Sequence, residues 1–499
     1  SVVIHLNHYM WSNGTPVSAQ DVQFWQNMVT ANKSNWAAYV PGGYPDDVVS
    51  TKVLNSSTIQ FNLNKAYDHT WFLMNELSQV TPMPLAWDVT KVGAKPGSGG
   101  CTASAPKKCV AVYNFLTSQA KKGVATYASS PIWSIVDGPF KLQSLDTNGQ
   151  AVFVPNPHYT GAYKPSIAKF VELPFTADTS EYNALRSGKG ITYGYIPAAD
   201  LAQKSLLASQ GFVYKPLYDF GFAYAIPNIN SNANHALLSQ PYIRQVLEML
   251  QDQQGDIKAF YKVGTPACGP VPFTPPNSYA SSYEKSCPFG FNPKKAVSVL
   301  KAHGWNVVPG GTTTCAKPSL CGPGVAKGMK IDFNFVYATG IAPMTNSIQA
   351  WKSDASRYAG ITLNLKGTTF NNAISLGGLC KVGSSKCNWD IIEFGGWVYG
   401  PDYYPTGGEL FSSGAATNNY SSKTMDHLIE ATHLAGNSKA TLDAYQKYAV
   451  NQLPVLYTPS SPYELTEINC HLKGVSYNTY LEIEPDRWYL TKGSCKGSA

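Results

Sequence analysis

Apolar and polar positions alternate with two different periods along this chain, and each period predicts an element. Val2-Val3-Ile4-His5-Leu6 is a β-branched apolar run that predicts a strand. The stretch "WSNGTPVSAQDV" at 11–22 then turns the chain. Asn13-Gly14 tolerates positive φ, Pro16 presets its own φ, and Ser18 with Asp21 reads as a capping box. Val22, Trp25, Met28 and Val29 follow at helical spacing. In "NPKKAVSVLKAHGW" (292–305), Asn292 is the N-cap, Pro293 opens the helix, Ala296, Val299 and Leu300 share a face, and Gly304 stops it. "SQPYIRQVLEMLQDQQGDI" (239–257) carries Ile243, Val246, Leu247 and Leu250 on one stripe. "TLDAYQKYAVNQLPVLYTPS" (441–460) runs a helix into Pro454 and then a buried strand, Val455-Leu456-Tyr457. Strands and helices alternate throughout, with Gly/Pro/Ser/Cys-rich loops at 94–110, 264–292 and 306–328, so the class is α/β with mixed sheets.

Composition narrows this. A chain of 499 residues exceeds the size at which one core stops growing, so two or three domains are expected. Apolar content of 43% supplies their cores, and no run reaches the about 18 apolar residues that a membrane-spanning helix needs. Charged residues are 14%, against about 25% in ordinary soluble domains, so hydroxyl and amide groups make much of the surface. A surface short of carboxylates gains little net charge when pH falls, which suits an acidic exterior. The formal charge of +7 is spread over pairs such as Lys107-Lys108 and Lys294-Lys295, without the basic stripe and interleaved aromatics of a nucleic-acid binder. The sequence starts at Ser1 and shows no signal-peptide n-region or apolar h-region, so any targeting segment is expected to be removed or to lie outside this sequence.

The ten cysteines form sequence-local couples: Cys101 with Cys109, Cys268 with Cys287, Cys315 with Cys321, Cys380 with Cys387, and Cys470 with Cys495. Their even count and loop-rich settings predict disulfides, and hence a location outside the cytoplasm. There is no Cys-x-x-Cys, no His-Glu-x-x-His, no nucleophile elbow and no phosphate-cradling loop. His427, Glu430 and His433 in "DHLIEATH" share a helical face, which reads as a solvated face ahead of a metal site. Sequons at Asn13, Asn32, Asn55 and Asn419 are candidate glycosylation sites or chance matches.

Read in order, several segments carry a resemblance. They are "WSNGTPVSAQDV", "VDGPFKLQSLD", "NPHYTGAYKPSIAKFVELPF", "NALRSGKG", "YIRQVLEMLQD", "NPKKAVSVLKAHGW", "GWVYGPDYYPTGGELFSS", "NNYSSKTMDHLIEAT" and "YQKYAVNQLPVLYTP". Together they resemble the extracellular solute-binding proteins of the peptide, dipeptide and nickel ABC-importer family (family 5, oligopeptide-binding-like). The resemblance implies an α/β two-lobed flytrap, the periplasmic-binding-protein fold, with mixed sheets and an extra small subdomain in lobe I. That subdomain would be 1–134, the lobe I core 135–226 plus 475–499, and lobe II 227–474, with crossovers near Ile226-Pro227 and Gly474-Val475. Family members carry a further segment before the first strand; the resemblance implies either that the sequence is clipped here or that part of lobe I is lacking, which would leave a sheet edge unpaired. The implied protein is a monomer outside the cell, at the cell surface or in the periplasm, tethered through an N-terminal anchor. It would capture a peptide and deliver it to permease subunits without cofactor, metal or bond-making.

In peptide-binding relatives a Gly-Trp followed three residues on by an aspartate anchors the ligand's α-ammonium. Here Gly396-Trp397 matches, but Gly400 stands at the third position and the acid is Asp402, at the fifth. A cleft-facing Asp402 therefore implies a cationic ligand end, and a solvent-facing one does not. Tyr399, Tyr403 and Tyr404 surround it, and Tyr477, Tyr39 and Tyr44 are candidates by position alone. Tyrosine-rich clefts suit peptides bound strand-fashion and equally suit sugars stacked on rings, so an oligosaccharide binder of the same architecture stays open. A secreted hydrolase is the third reading, without a supporting motif.

Overall fold

A computed structural model describes the chain except for residues 37, 189, 401–403, 416–418, 478–482, 494 and 496–499. The largest sheet has five strands in the order Thr362–Thr368, Asp332–Ala338, Ile391–Val398, Gly221–Pro227, Leu456–Thr458. The first three run parallel, with Asp332–Ala338 between the other two. Parallel neighbours need a crossover, and helices Ala342–Ala359 and Phe370–Leu376 supply it. Gly221–Pro227 inserts antiparallel to both Ile391–Val398 and Leu456–Thr458. Trp351, on the first crossover helix, is 1% exposed. It meets Phe335 edge to face with ring centroids 5.6 Å apart, and its indole N–H donates to the Leu247 carbonyl at 3.0 Å.

The first strand, Val2–His5, pairs antiparallel with Thr58–Leu63, which also pairs with Val48–Asn55. Helix Ala19–Ala31 covers that sheet and buries Ala19, Val22 and Trp25 against Ile59 and Phe61. Its capping box forms as predicted, with the Ser18 N–H donating to the Asp21 carboxylate at 2.7 Å. Helix Pro293–Ala302 is capped by Asn292, whose side chain accepts from the Lys295 N–H at 3.0 Å. The predicted stripe Ile243, Val246, Leu247 and Leu250 is buried throughout. All five cysteine couples form disulfides.

A second sheet sets the wiring between the lobes. Thr466–Asn469 lies between Tyr193–Tyr195 and Phe212–Tyr214. The chain therefore leaves this sheet after Tyr214, joins the five-stranded sheet at Gly221, and returns between Thr458 and Thr466. Sheet membership thus puts the strand changes a few residues before Ile226-Pro227 and about ten before Gly474-Val475, because all of Gly221–Pro227 is paired in the larger sheet. The two passing segments run side by side. The Lys215 N–H donates to the Thr466 carbonyl and the Leu217 N–H to the Glu464 carbonyl, both at 2.9 Å.

Two sequence expectations change. His433 is not on a solvated face: its ring stacks on Trp71, centroids 4.1 Å apart, and its Nε2 lies 3.1 Å from Thr406 Oγ1. Glu430 pairs with Lys65, and His427 alone of the three stays exposed. Asn32 and Asn419 are buried and hydrogen bonded, which closes those two sequons; Asn13 and Asn55 are exposed. Among the described residues no helix is long and apolar enough to cross a membrane.

Arg244 locks a helix end inside the core. At 1% exposure, its guanidinium donates to the Leu453 carbonyl at 2.8 Å, the Gln452 carbonyl at 2.6 Å, and the Leu238 carbonyl. These include the orphan acceptors where helix Lys439–Gln452 stops before Pro454. Arg244→Met strands several buried carbonyls and is expected to cost about 3 kcal/mol or more, read as a lowered denaturant midpoint with an unchanged m-value.

Candidate functional site

A cleft of about 750 Å³ opens where the two passing segments meet the five-stranded sheet. Strands Gly221–Pro227 and Ile391–Val398 form its floor. Ile341 and Met344 at the start of one crossover helix, and Phe370 and Ile374 on the other, form one wall. Residues 459–463 form the opposite wall. Open α/β sheets place ligands beyond the carboxyl ends of their parallel strands, and this cleft occupies that position.

The floor has an unusual backbone. Ile391–Val398 pairs with Asp332–Ala338 only as far as Glu393, and its register against Gly221–Pro227 shifts between Glu393 and Gly396. A bulge of this kind bends a strand and re-aims the residues beyond it. Gly395 takes φ +132°, a conformation suited to glycine. Gly396 packs so closely on the Phe222 carbonyl that a Cβ would overlap it, and a Cβ at Gly221 would likewise meet the Trp397 carbonyl. From Phe394 to Val398 the strand keeps Gly221–Pro227 on one side, and every one of its residues lines the cleft.

Gly396 and Trp397 therefore stand at the cleft together, and the Trp397 indole N–H has no hydrogen-bond partner among the described residues. Among the described residues, the other sequence candidates do not line this cleft. Tyr399 is 1% exposed beneath the floor, packed on Phe220 and Phe222, and its hydroxyl donates to the Pro270 carbonyl. Tyr404 is buried against Tyr279, its hydroxyl accepting from Asn437 at 2.7 Å. Tyr477 donates to the Lys215 carbonyl at 3.1 Å, and Tyr39 donates to the Asp46 carboxylate at 2.8 Å. Tyr44 hydrogen bonds with Gln26 and lines a separate cavity of about 340 Å³. Asp402 and Tyr403 lie outside the described residues. That second cavity lies between residues 38–79 and 406–433, where Trp71 meets His433 and Lys65 meets Glu430.

The cleft also contains groups that the sequence reading missed. Glu393 sits on the floor at 2% exposure. Thr458 donates to its Oε1 at 3.2 Å, while its Oε2 has no partner among the described residues. Burial, with a smaller push from Asp256 and against the Thr458 hydrogen bond, raises its pKa to about 8. Asp219 lines the same cleft, and burial lifts its carboxyl to about 6. Tyr224, Tyr261 and Tyr463 add three phenol rings. The available signal was the acid Glu393 in the apolar run "IIEFGGW".

The family model described as "Bacterial extracellular solute-binding proteins, family 5 Middle" matches residues 1–419. The chain belongs to that family. Family-5 relatives include the periplasmic oligopeptide-binding protein OppA of Salmonella typhimurium, 25% identical over 260 residues, which span 50% of this chain and 43% of that protein. The oligopeptide-binding protein OppA of Lactococcus lactis subsp. lactis is 24% identical over 432 residues, spanning 82% of this chain and 64% of that one. The chain thus spans less than two thirds of the length of either relative. Among family-like solved structures, the oligopeptide-binding protein AppA from Bacillus subtilis, in complex with a nonapeptide, superposes with a TM-score of 0.72 at 14% identity. That match covers 98% of this chain and 87% of AppA. The fold is the two-lobed α/β architecture of the periplasmic binding proteins, with mixed sheets.

Buried acids give this fold a pH signature. Glu393 and Glu284 are held at about 8 and Asp47 at about 7, chiefly by burial. In the unfolded chain such groups ionise near pH 4. Between those values the unfolded state binds fewer protons, so stability falls as pH rises toward 8. His433 acts oppositely: burial, then Lys65, lowers its pKa to about 3, so its contribution is lost as pH falls below about 6.5. Three acids outweigh one histidine above about pH 4, so a pH series of melting temperatures is expected to be highest near pH 4 and to decline toward pH 8.

Proposed function

We propose that this chain is the extracellular substrate-binding component of an ABC importer, closing two lobes over a short peptide and presenting it to a membrane permease. The observation that carries the reading is the cleft floor: a bulged strand, Phe394–Val398, with one side paired and its residues lining an open groove beside Trp397. Such an edge accepts an extended peptide as an added strand, with main-chain hydrogen bonds for affinity and pockets for alternate side chains. Similarity to two oligopeptide-binding proteins and to a nonapeptide complex supports the same class.

Closure needs a hinge, and we place it in the passing segments 215–220 and 459–465. Lobe II is then about 221–458 and the lobe I core about 135–220 plus 459–499, with the small subdomain at 1–134 as the resemblance assigns it. Ligand binding favours the closed arrangement by its differential contacts alone, so the activity is capture without turnover.

Aromatic lining by Trp397, Tyr224, Tyr261 and Tyr463 is the specific feature that favours an oligosaccharide instead. A thermal-shift screen separates the two. Di- to pentapeptides are expected to stabilise the protein, by about 2.7 kcal/mol at 100 times the dissociation constant, with cello- and xylo-oligosaccharides giving no shift. Trp397→Ala is expected to weaken peptide binding about tenfold or more, the loss typical of an aromatic anchor. Shifts with the sugars and none with the peptides overturn the peptide reading.

A further inference from the structure

The charged groups of the cleft are all of one sign. Among the described residues its lining includes Asp219 and Glu393 and no lysine, arginine or histidine. Behind the floor the pattern continues. Asp256, 4% exposed, accepts from Ser347 Oγ at 2.6 Å and adds to the acidic field at Glu393. Asp252 and Asp354 act on Asp256 in turn, and Arg357, farther out, is engaged by Asp354 at 2.7 Å. Tyr261 is the phenol on which both Glu393 and Asp256 act. Glu393 is thus a buried acid with one oxygen unpartnered, acidic neighbours, and no cation of the protein acting on it.

A carboxyl in such a place stays neutral unless a positive charge is brought to it, because burial and like charges both oppose ionisation. The walls in front of it suit a particular carrier of that charge. Met344, Phe394, Tyr224 and Tyr261 offer apolar and aromatic surface around the floor. The methylene stem of a lysine or arginine packs on such surface while its head seeks a charge, and phenol faces attract the cation on its way.

Resting on the peptide reading above, we infer that Glu393 is a specificity-determining residue that selects peptides carrying a basic side chain, whose cationic head it meets at the cleft floor. As that cation arrives, the Glu393 carboxyl releases its proton to solvent and the pair is neutral overall. The ligand's own α-ammonium is the other possible source of a cation, and its short reach from the peptide backbone does not match the stem-lined floor.

The test compares tripeptides Ala-Lys-Ala, Ala-norleucine-Ala and Ala-Glu-Ala, each free and N-acetylated, by titration calorimetry in two buffers of different ionisation enthalpy at pH 6.5. Wild-type protein is expected to bind the lysine peptide about tenfold more tightly than its norleucine isostere, to bind the glutamate peptide most weakly, and to keep this order after acetylation. About one proton is released with lysine and none with norleucine. E393Q is expected to bring lysine and norleucine within about threefold and to abolish the proton release. Equal wild-type affinities, a preference that survives in E393Q, or one that disappears on acetylation overturns the inference while leaving the peptide reading intact. Absence of binding by all six peptides defeats the peptide reading, and the inference with it. Proton release by the wild type alone decides the matter if E393Q does not fold.

Discussion

Two glycines hold this architecture to its shape. Gly396 lies opposite Ala223 and Gly221 opposite Val398 on the same antiparallel strand pair, and each sits so close to a carbonyl of the other strand, Phe222 and Trp397 respectively, that no side chain fits. That close approach fixes the register beyond the bulge and turns Phe394–Val398 away from its parallel neighbour. The cleft exists because one strand pair is drawn this tight. Everything that lines the floor, Trp397 included, takes its position from those two backbones.

Much of the fold was legible because its signals are local. Capping residues at Ser18 and Asn292 and the apolar stripe at 243–250 act within a few residues of themselves, and cysteine couples 6 to 25 residues apart leave few alternative pairings. The wiring between sheets was harder. Ile226-Pro227 looks like a break in the chain, yet the proline ends a strand that is paired along its length. Strand membership depends on partners more than 160 residues away, which no window of sequence displays.

The site divides along the same line. Gly396-Trp397 was singled out through the resemblance and lines the cleft, whereas the tyrosines could not be sorted from sequence, because one side chain serves equally as core and as contact surface. Tyr399 and Tyr404 went to packing and to hydrogen bonds within the protein. Glu393 was passed over for the opposite reason: an acid inside an apolar run is a departure from pattern, and departures from pattern are where chemistry resides. The histidine cluster shows the limit of helical-face reasoning. Spacing put His433 on the same face as Glu430, but a tryptophan 362 positions earlier supplies the surface that covers it.

If the paired segments 215–220 and 459–465 are the hinge proposed above, their pairing has a mechanical consequence. A ribbon two strands wide is stiff within its own plane and compliant across it, and Pro459 and Pro462 further restrict the backbone of one strand. A connection of that cross-section swings about a single axis, as a door leaf does, and resists sliding sideways. Under that proposal each approach of one half to the other would trace the same arc, so whatever lies on the floor would meet the same opposing surface at every closure.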